Sequence, residues 1–123
     1  MGWEILNIAL SVSADSMPCQ QGKVTATVVV SGRTDGNQET NSYVASIRDD
    51  YIFPDILWQS DVRTVGPNEE VEDSYSVEIS CDEKCHVIGP HGSSGERTAE
   101  LYGQVEGGEF ENSTDEVPVR CIK

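Results

Sequence analysis

The residues with the widest choice of chemistry in this 123-residue chain are its four cysteines, Cys19, Cys81, Cys85 and Cys121. Oxidised, they form two disulfides and imply an oxidising compartment. Reduced, four thiolates, or three with His86, could hold zinc tetrahedrally. Buried and unpaired, they would be inert thiols. The Cys-x3-Cys step from Cys81 to Cys85 suits a zinc knuckle, but Cys19 and Cys121 are singletons where a second such pair is needed. The expected state is therefore two disulfides, Cys81 with Cys85 across a small loop and Cys19 with Cys121 as a staple of the terminal regions. No cofactor is expected, zinc at these cysteines being the minority alternative. Cys85-His86 is one residue too far from Cys81 for a haem-attachment motif. A catalytic pair of Cys81 or Cys85 with His86 or His91 lacks a helix N-terminus and an orienting third group. His91, in Gly89-Pro90-His91-Gly92, belongs to a solvated loop.

Carboxylates are the other abundant functional groups. Asp49-Asp50, Glu69 to Asp73 and Glu106 to Glu116 form acid clusters that could offer oxygens to calcium, but none has EF-hand spacing. They read as solvated faces. In a chain with 22 Asp plus Glu, a glycosidase-like pair of acids carries almost no information. Against those 22 acids stand 8 Lys plus Arg, a net charge of -14. Nucleic acid is a poor partner for such a surface, since binding it draws on Lys and Arg to displace counterions. An anionic membrane surface is unfavourable for the same reason, and no apolar stretch approaches the roughly 18 residues of a spanning helix. Only Lys23, Lys84 and Lys123 are lysines. An acid-rich, lysine-poor coat suits molar salt, where the Debye length is about 3 Å and carboxylate repulsion is screened. An ordinary acidic secreted domain and a DNA mimic are the alternatives.

The elements that must position these groups are strands. Apolar residues recur with period two, and helical periodicity is nearly absent. Leu6, Ile8, Leu10 and Val12 share one face of a first strand, and Val24, Ala26, Val28 and Val30 one face of a second. The Gly- and Asn-containing stretch Ser31 to Asn37 reads as a turn. Tyr43, Ala45 and Ile47 mark a third strand, and a short fourth lies around Ile56 to Val62. Tyr75, Val77, Ile79 and Cys81 alternate with Ser74, Ser76, Glu78 and Ser80 in a fifth. Ala99 to Val105 and Val117 to Cys121 give a sixth and a seventh, with Pro118 suited to an edge. About seven short strands with Gly, Pro, Asn and Asp between them predict an all-β, antiparallel β-sandwich over residues 1–123 as one domain. The apolar N-terminus reads as a strand rather than a secretion signal, since it has no basic n-region and contains Glu4 and Asn7. Counting strand directions places all four cysteines at one pole.

The strand order resembles immunoglobulin-like domains of the CARDB or fibronectin type III kind. Val65-Gly66-Pro67-Asn68-Glu69-Glu70 leading into Ser74 to Ile79, Arg97 to Val105, and Asp115-Glu116 before the last strand carry that resemblance. It covers most of the chain. It departs from antibody domains, because Trp58 is not flanked by cysteines at their spacing. The resemblance implies a seven-strand immunoglobulin-like sandwich with adhesion, assembly or spacing roles and no catalysis.

Interface candidates are the aromatics Trp3, Tyr51, Phe53 and Trp58, which would anchor a neighbour if exposed and plug the sandwich if not. Asn112-Ser113-Thr114 is a glycosylation sequon, expected in the loop before the last strand. The expected function is a non-enzymatic structural or decorating module of an extracellular assembly, a virion surface protein above all. The alternative is a secreted or cell-surface ligand- or protein-binding module. The expected partners are proteins, as a homo-oligomer or a larger assembly, with no nucleic acid and no membrane insertion. If the acid coat is an adaptation to salt, the fold melts as NaCl is lowered from molar to about 0.1 M, where screening reaches about 10 Å. Circular dichroism at the two salt concentrations checks this, and an unchanged melting curve contradicts it.

Overall fold

A computed structural model describes residues 2–36, 40–50, 54–108 and 112–123. Among the described residues every regular element is a strand: β1 (Trp3–Val12), β2 (Ser16–Pro18), β3 (Lys23–Thr34), β4 (Asn41–Asp49), β5 (Ile56–Gln59), β6 (Arg63–Val65), β7 (Glu70–Cys81), β8 (Val87–Ile88), β9 (Thr98–Glu106) and β10 (Asn112–Ile122). One sheet has the order β1-β3-β7-β8, the other β2-β10-β9-β4-β5 with β6 also on β4. The alternating faces meet between them. Val24, Ala26, Val28 and Val30 of β3 lie opposite Ala45 and Ile47 of β4 and Leu101 and Val105 of β9, all in one buried cluster. The period-two pattern thus becomes two sheets whose inner faces are apolar because every second side chain must leave water.

The strand count differs from seven. The fourth expected strand divides into β5 and β6, separated by Ser60 to Val62, and two- or three-residue strands β2 and β8 appear where no alternation could be read. The sandwich is not purely antiparallel either. β2 runs parallel to the end of β10, with Cys121 opposite Met17. Ser31 to Thr34, expected as a turn, continues β3, with Gly32 opposite both Leu6 and Val71. β1 has a register shift between Trp3 and Ile5. The Ile5 carbonyl lies so close that a Cβ on Gly32 would be 2.7 Å from it. This glycine serves close approach rather than a turn.

Two seams close the sandwich. On one side β1 lies beside β10, and the Leu10 N–H donates to the Asp115 carboxylate at 2.8 Å. A side chain there supplies the acceptor that a neighbouring strand otherwise would. On the other side, between β7 and β5, the lower half is sealed by the chain after β8. The His91 N–H donates to the Leu57 carbonyl at 2.8 Å, and Gly89 fits because a Cβ would meet that carbonyl at 2.5 Å. The upper half is closed by side chains alone. The Tyr75 hydroxyl bonds that of Tyr43 at 2.6 Å, and the Tyr43 hydroxyl donates to Asp73. Arg63 Nε reaches the same carboxylate at 3.2 Å, and Trp58 lies on Tyr75 with ring centroids 5.2 Å apart.

Candidate functional site

Strand parity decides which way two of the four sulfurs point. Cys81 continues the inward series Val77, Ile79 on β7, and Cys121 continues Val119 on β10, so the two meet between the sheets. They form one disulfide, with Cα atoms 6.0 Å apart. Cys19 follows β2, and its N–H donates to the Ile122 carbonyl at 2.8 Å, which holds it at the end of β10. The connection from β7 to β8 folds up to it. Asp82 Oδ1 accepts the N–H groups of Lys84 and His86 at 2.9 and 2.8 Å, and Asp82 O accepts those of Cys85 and Gln20 at 3.1 and 3.2 Å. Within that tight turn Cys85 has a φ of 62°, and Gln20 and Gln21 both have 64°. Three non-glycine residues in the left-handed region are unusual together, and they turn Cys85 onto Cys19. That second disulfide has Cα atoms 4.9 Å apart. The His86 N–H, ahead of the Lys84 N–H and the charges nearby, holds the Asp82 carboxyl below the usual carboxylate range.

All four cysteines lie at one pole, as expected, although the strand count is not the seven behind that expectation, and the partners are exchanged. The expected Cys81–Cys85 and Cys19–Cys121 pairs give way to Cys81–Cys121 and Cys19–Cys85. The physical reason is direction. Cys81 points between the sheets, whereas Cys85 sits in a turn closed by its own backbone bonds. With every sulfur bonded to another, no thiolate is left for the zinc alternative in this oxidised form. Two disulfides that cross-link strand ends belong to an oxidising environment.

Besides Asp115, which closes the β1–β10 seam, two acids lie on inner faces. Asp49, 4% exposed, is two residues beyond Ile47 on β4 and shares its inward parity. Its Oδ1 accepts the Asp55 N–H at 2.7 Å. It lines a shallow cleft of about 200 Å3 with Asp50, Glu96, Thr98, Ala99 and Glu100. Burial, together with the charges of Asp55 and Glu96, pushes its carboxyl above the usual range despite the hydrogen bonds that oppose the shift. Among the described residues no three His, Cys, Asp or Glu side chains converge as metal ligands, in this cleft or elsewhere. The second acid is Asp73, which shares Tyr43 and Arg63 as partners. Burial first, then the bonds to Asp73 and Tyr75, raise the Tyr43 hydroxyl far above the phenol range, so it stays a donor. Both acids were legible: Asp49 extends the series Tyr43, Ala45, Ile47, and Asp73 extends Tyr75, Val77, Ile79 backwards through Val71. They escape notice when acid clusters are read as solvated faces.

The remaining candidates separate. Trp3 is 5% exposed, its indole N–H donating to the Ser42 carbonyl at 3.2 Å and its ring edge-on to Tyr43, so it is a plug and not an anchor for a neighbour. Gly107 makes room for it, since a Cβ there would lie 2.8 Å from the indole. Trp58 is half-buried, packed on the core through one face. Tyr51 and Phe53 lie outside the described residues. Asn112 opens β10, its backbone opposite Glu106 of β9, so the sequon begins on a strand rather than in a loop. His91 is exposed, as a loop residue should be.

No protein-family profile matches the chain, and no curated protein does. Among solved structures it is similar to Spo0M, a sporulation control protein from Bacillus subtilis, with a TM-score of 0.54 at 10% sequence identity. The likeness covers 94% of this chain and 49% of that one, so the chain spans about half the length of Spo0M. At this identity the likeness shows a shared β-fold and nothing more specific.

Removing the inter-sheet bridge with Cys81→Ser and Cys121→Ser together lowers unfolding free energy by about 2–4 kcal/mol, since it frees a 40-residue loop in the unfolded chain. Urea denaturation of the double variant measures it. For Asp49 the sign is opposite to that of a salt-bridged acid. A raised folded pKa means that stability is greatest below the unfolded value, about 3.9, and falls as pH rises through the folded one. Asp49→Asn keeps an acceptor for the Asp55 N–H, so its urea midpoint at pH 7 rises above wild type. At pH 3 the two midpoints converge.

Proposed function

We propose that this chain is a non-enzymatic β-sandwich module that acts by contact with other proteins in an extracellular assembly, the surface of a virion above all. The observation that carries the reading is the pole at which two disulfides lock the ends of β2, β7 and β10 to one another. Such a staple serves a protein that must hold its shape outside a reducing cell. The polar groups that are buried go to the frame: Thr34 to the Gly66 carbonyl, Tyr43 to Asp73, Asp49 to the Asp55 N–H. Each of these hydrogen bonds joins two elements of the frame, which favours a scaffold role for them. The acid coat keeps the surface soluble and, in a salt-rich habitat, screened.

An immunoglobulin-like architecture is part of this reading. It is supported by β1-β3-β7 facing β10-β9-β4-β5, the pairing in which the first, second and fourth long strands share one sheet. A second reading, a secreted or cell-surface protein-binding module, is favoured by the half-buried Trp58–Tyr75 pair at the half of the seam closed by side chains alone.

The test is to recover the protein from its native source under alkylation without reductant, fractionate it by sedimentation, and map its disulfides by mass spectrometry. Both bridges intact in a particle fraction is the expected result. Both bridges in a soluble secreted fraction moves the chain to the second reading. Four alkylated thiols in a cytosolic fraction overturns both.

A further inference from the structure

We infer that the outer edge of β7 is a docking edge for an extended protein segment in which basic and apolar residues alternate. β7 is 12 residues long, paired with β3 along Glu70–Ser80 on one side. On the other side β8 covers only Ser80 and Cys81. Among the described residues no strand covers that edge from Glu70 to Ile79, so half of its backbone N–H and C=O groups face outward. An edge of this kind is a template for an added strand.

The side chains along the edge specify what can be added. On the outer face β7 presents Glu70, Glu72, Ser74, Ser76 and Glu78. Arg33 reaches Glu70 at 3.9 Å and Lys23 reaches Glu78 at 3.5 Å, but across the sheet from Glu72 lie only Ser31 and, beyond it, Asn7. A second copy of β7 is the wrong partner. Paired antiparallel about Tyr75, it would set Glu72 against Glu78 twice, and like charges directly opposite destabilise a ladder. Lysine or arginine at alternate positions of the incoming strand satisfies the same places. On the inner face β7 presents Asp73, Tyr75 and Val77, and Tyr75 stacks on Trp58 of β5, both rings half-buried. Val62, 65% exposed, stands on the same rim in the β5–β6 connection. Apolar residues at the other alternate positions would lie over this rim and complete the burial of the two rings. Period two does both tasks at once, charge outside and apolar surface inside.

The inference rests on the chain's reading as a protein-contact module and names the contact. Its test uses the intact oxidised protein and a synthetic peptide of about nine residues, a common strand length, alternating lysine and valine. Trp58 emission follows binding, and amide exchange locates it. Expected are protection confined to residues 70–79, at least tenfold weaker binding by a peptide with glutamate for lysine, and at least tenfold weaker binding by one N-methylated at alternate residues. The N-methylated peptide keeps charge and side chains and loses the ladder. Glu72→Lys weakens the lysine peptide several-fold, and Trp58→Phe removes the emission change without removing the protection. Equal binding of the methylated peptide, protection spread over the acid coat, or no binding overturns the inference. Recovery of the oxidised protein in particles despite such a result leaves the module reading intact.

Discussion

The alternation of inward and outward side chains on β3 is the constraint on which the rest of this structure depends. Val24, Ala26, Val28 and Val30 are 3% exposed or less, and β3 is flanked by β1 and β7 along nearly its whole length. Once its inner face is buried, a one-residue slip of either neighbour would send an apolar set into water. Register is therefore fixed from the centre outward. Fixing β7 in register fixes Cys81, Tyr75 and Asp73 on the inner side and Glu72 and Glu78 on the outer. The disulfide, the tyrosine pair and the charge pattern of the edge all follow from one parity.

Closure of the two seams shows how a sandwich treats an edge it cannot pair. At β1 and β10 a carboxylate, Asp115, accepts the backbone N–H of Leu10. At β7 and β5 the lower half is filled by backbone, with Gly89 against Leu57. The upper half is filled by a hydroxyl–hydroxyl–carboxylate chain that joins Tyr75, Tyr43, Asp73 and Arg63. Burial of Tyr43 makes those bonds obligatory, because an unpaired phenol there would carry the full cost of desolvation. The half of the seam closed by side chains alone is also where aromatic surface stays partly in reach of solvent.

The acid coat and the core have little to do with each other, with three exceptions. Glu4, Glu70 and Glu78 pair with Arg33 and Lys23 at exposed positions, where such pairs contribute little. Asp49, Asp73 and Asp115 are different, since each faces inward and each holds a backbone or side-chain donor. Their carboxylates accept hydrogen bonds that tie one element to another. The net charge of -14 therefore describes how the surface meets water, and these three carboxylates describe how the frame is tied.

The sequence alone determined the inward and outward sets of the long strands. Those are local properties, because period two is written in neighbouring residues. Leu6, Ile8 and Leu10, Tyr43, Ala45 and Ile47, and Ala99, Leu101 and Val105 are all buried where alternation places them. Tertiary structure decided what depends on residues distant in the chain. β2 and β8 are too short to show a period and exist only because β10 and β7 lie beside them. Trp3 is buried because Tyr43 and Gly107 come to it from other strands. The cysteines choose partners 66 and 40 residues away over one only four residues away. Proximity in sequence favours Cys81 with Cys85, but a sulfur bonds where its Cβ points, and on a strand that direction is set by which face the sheet buries.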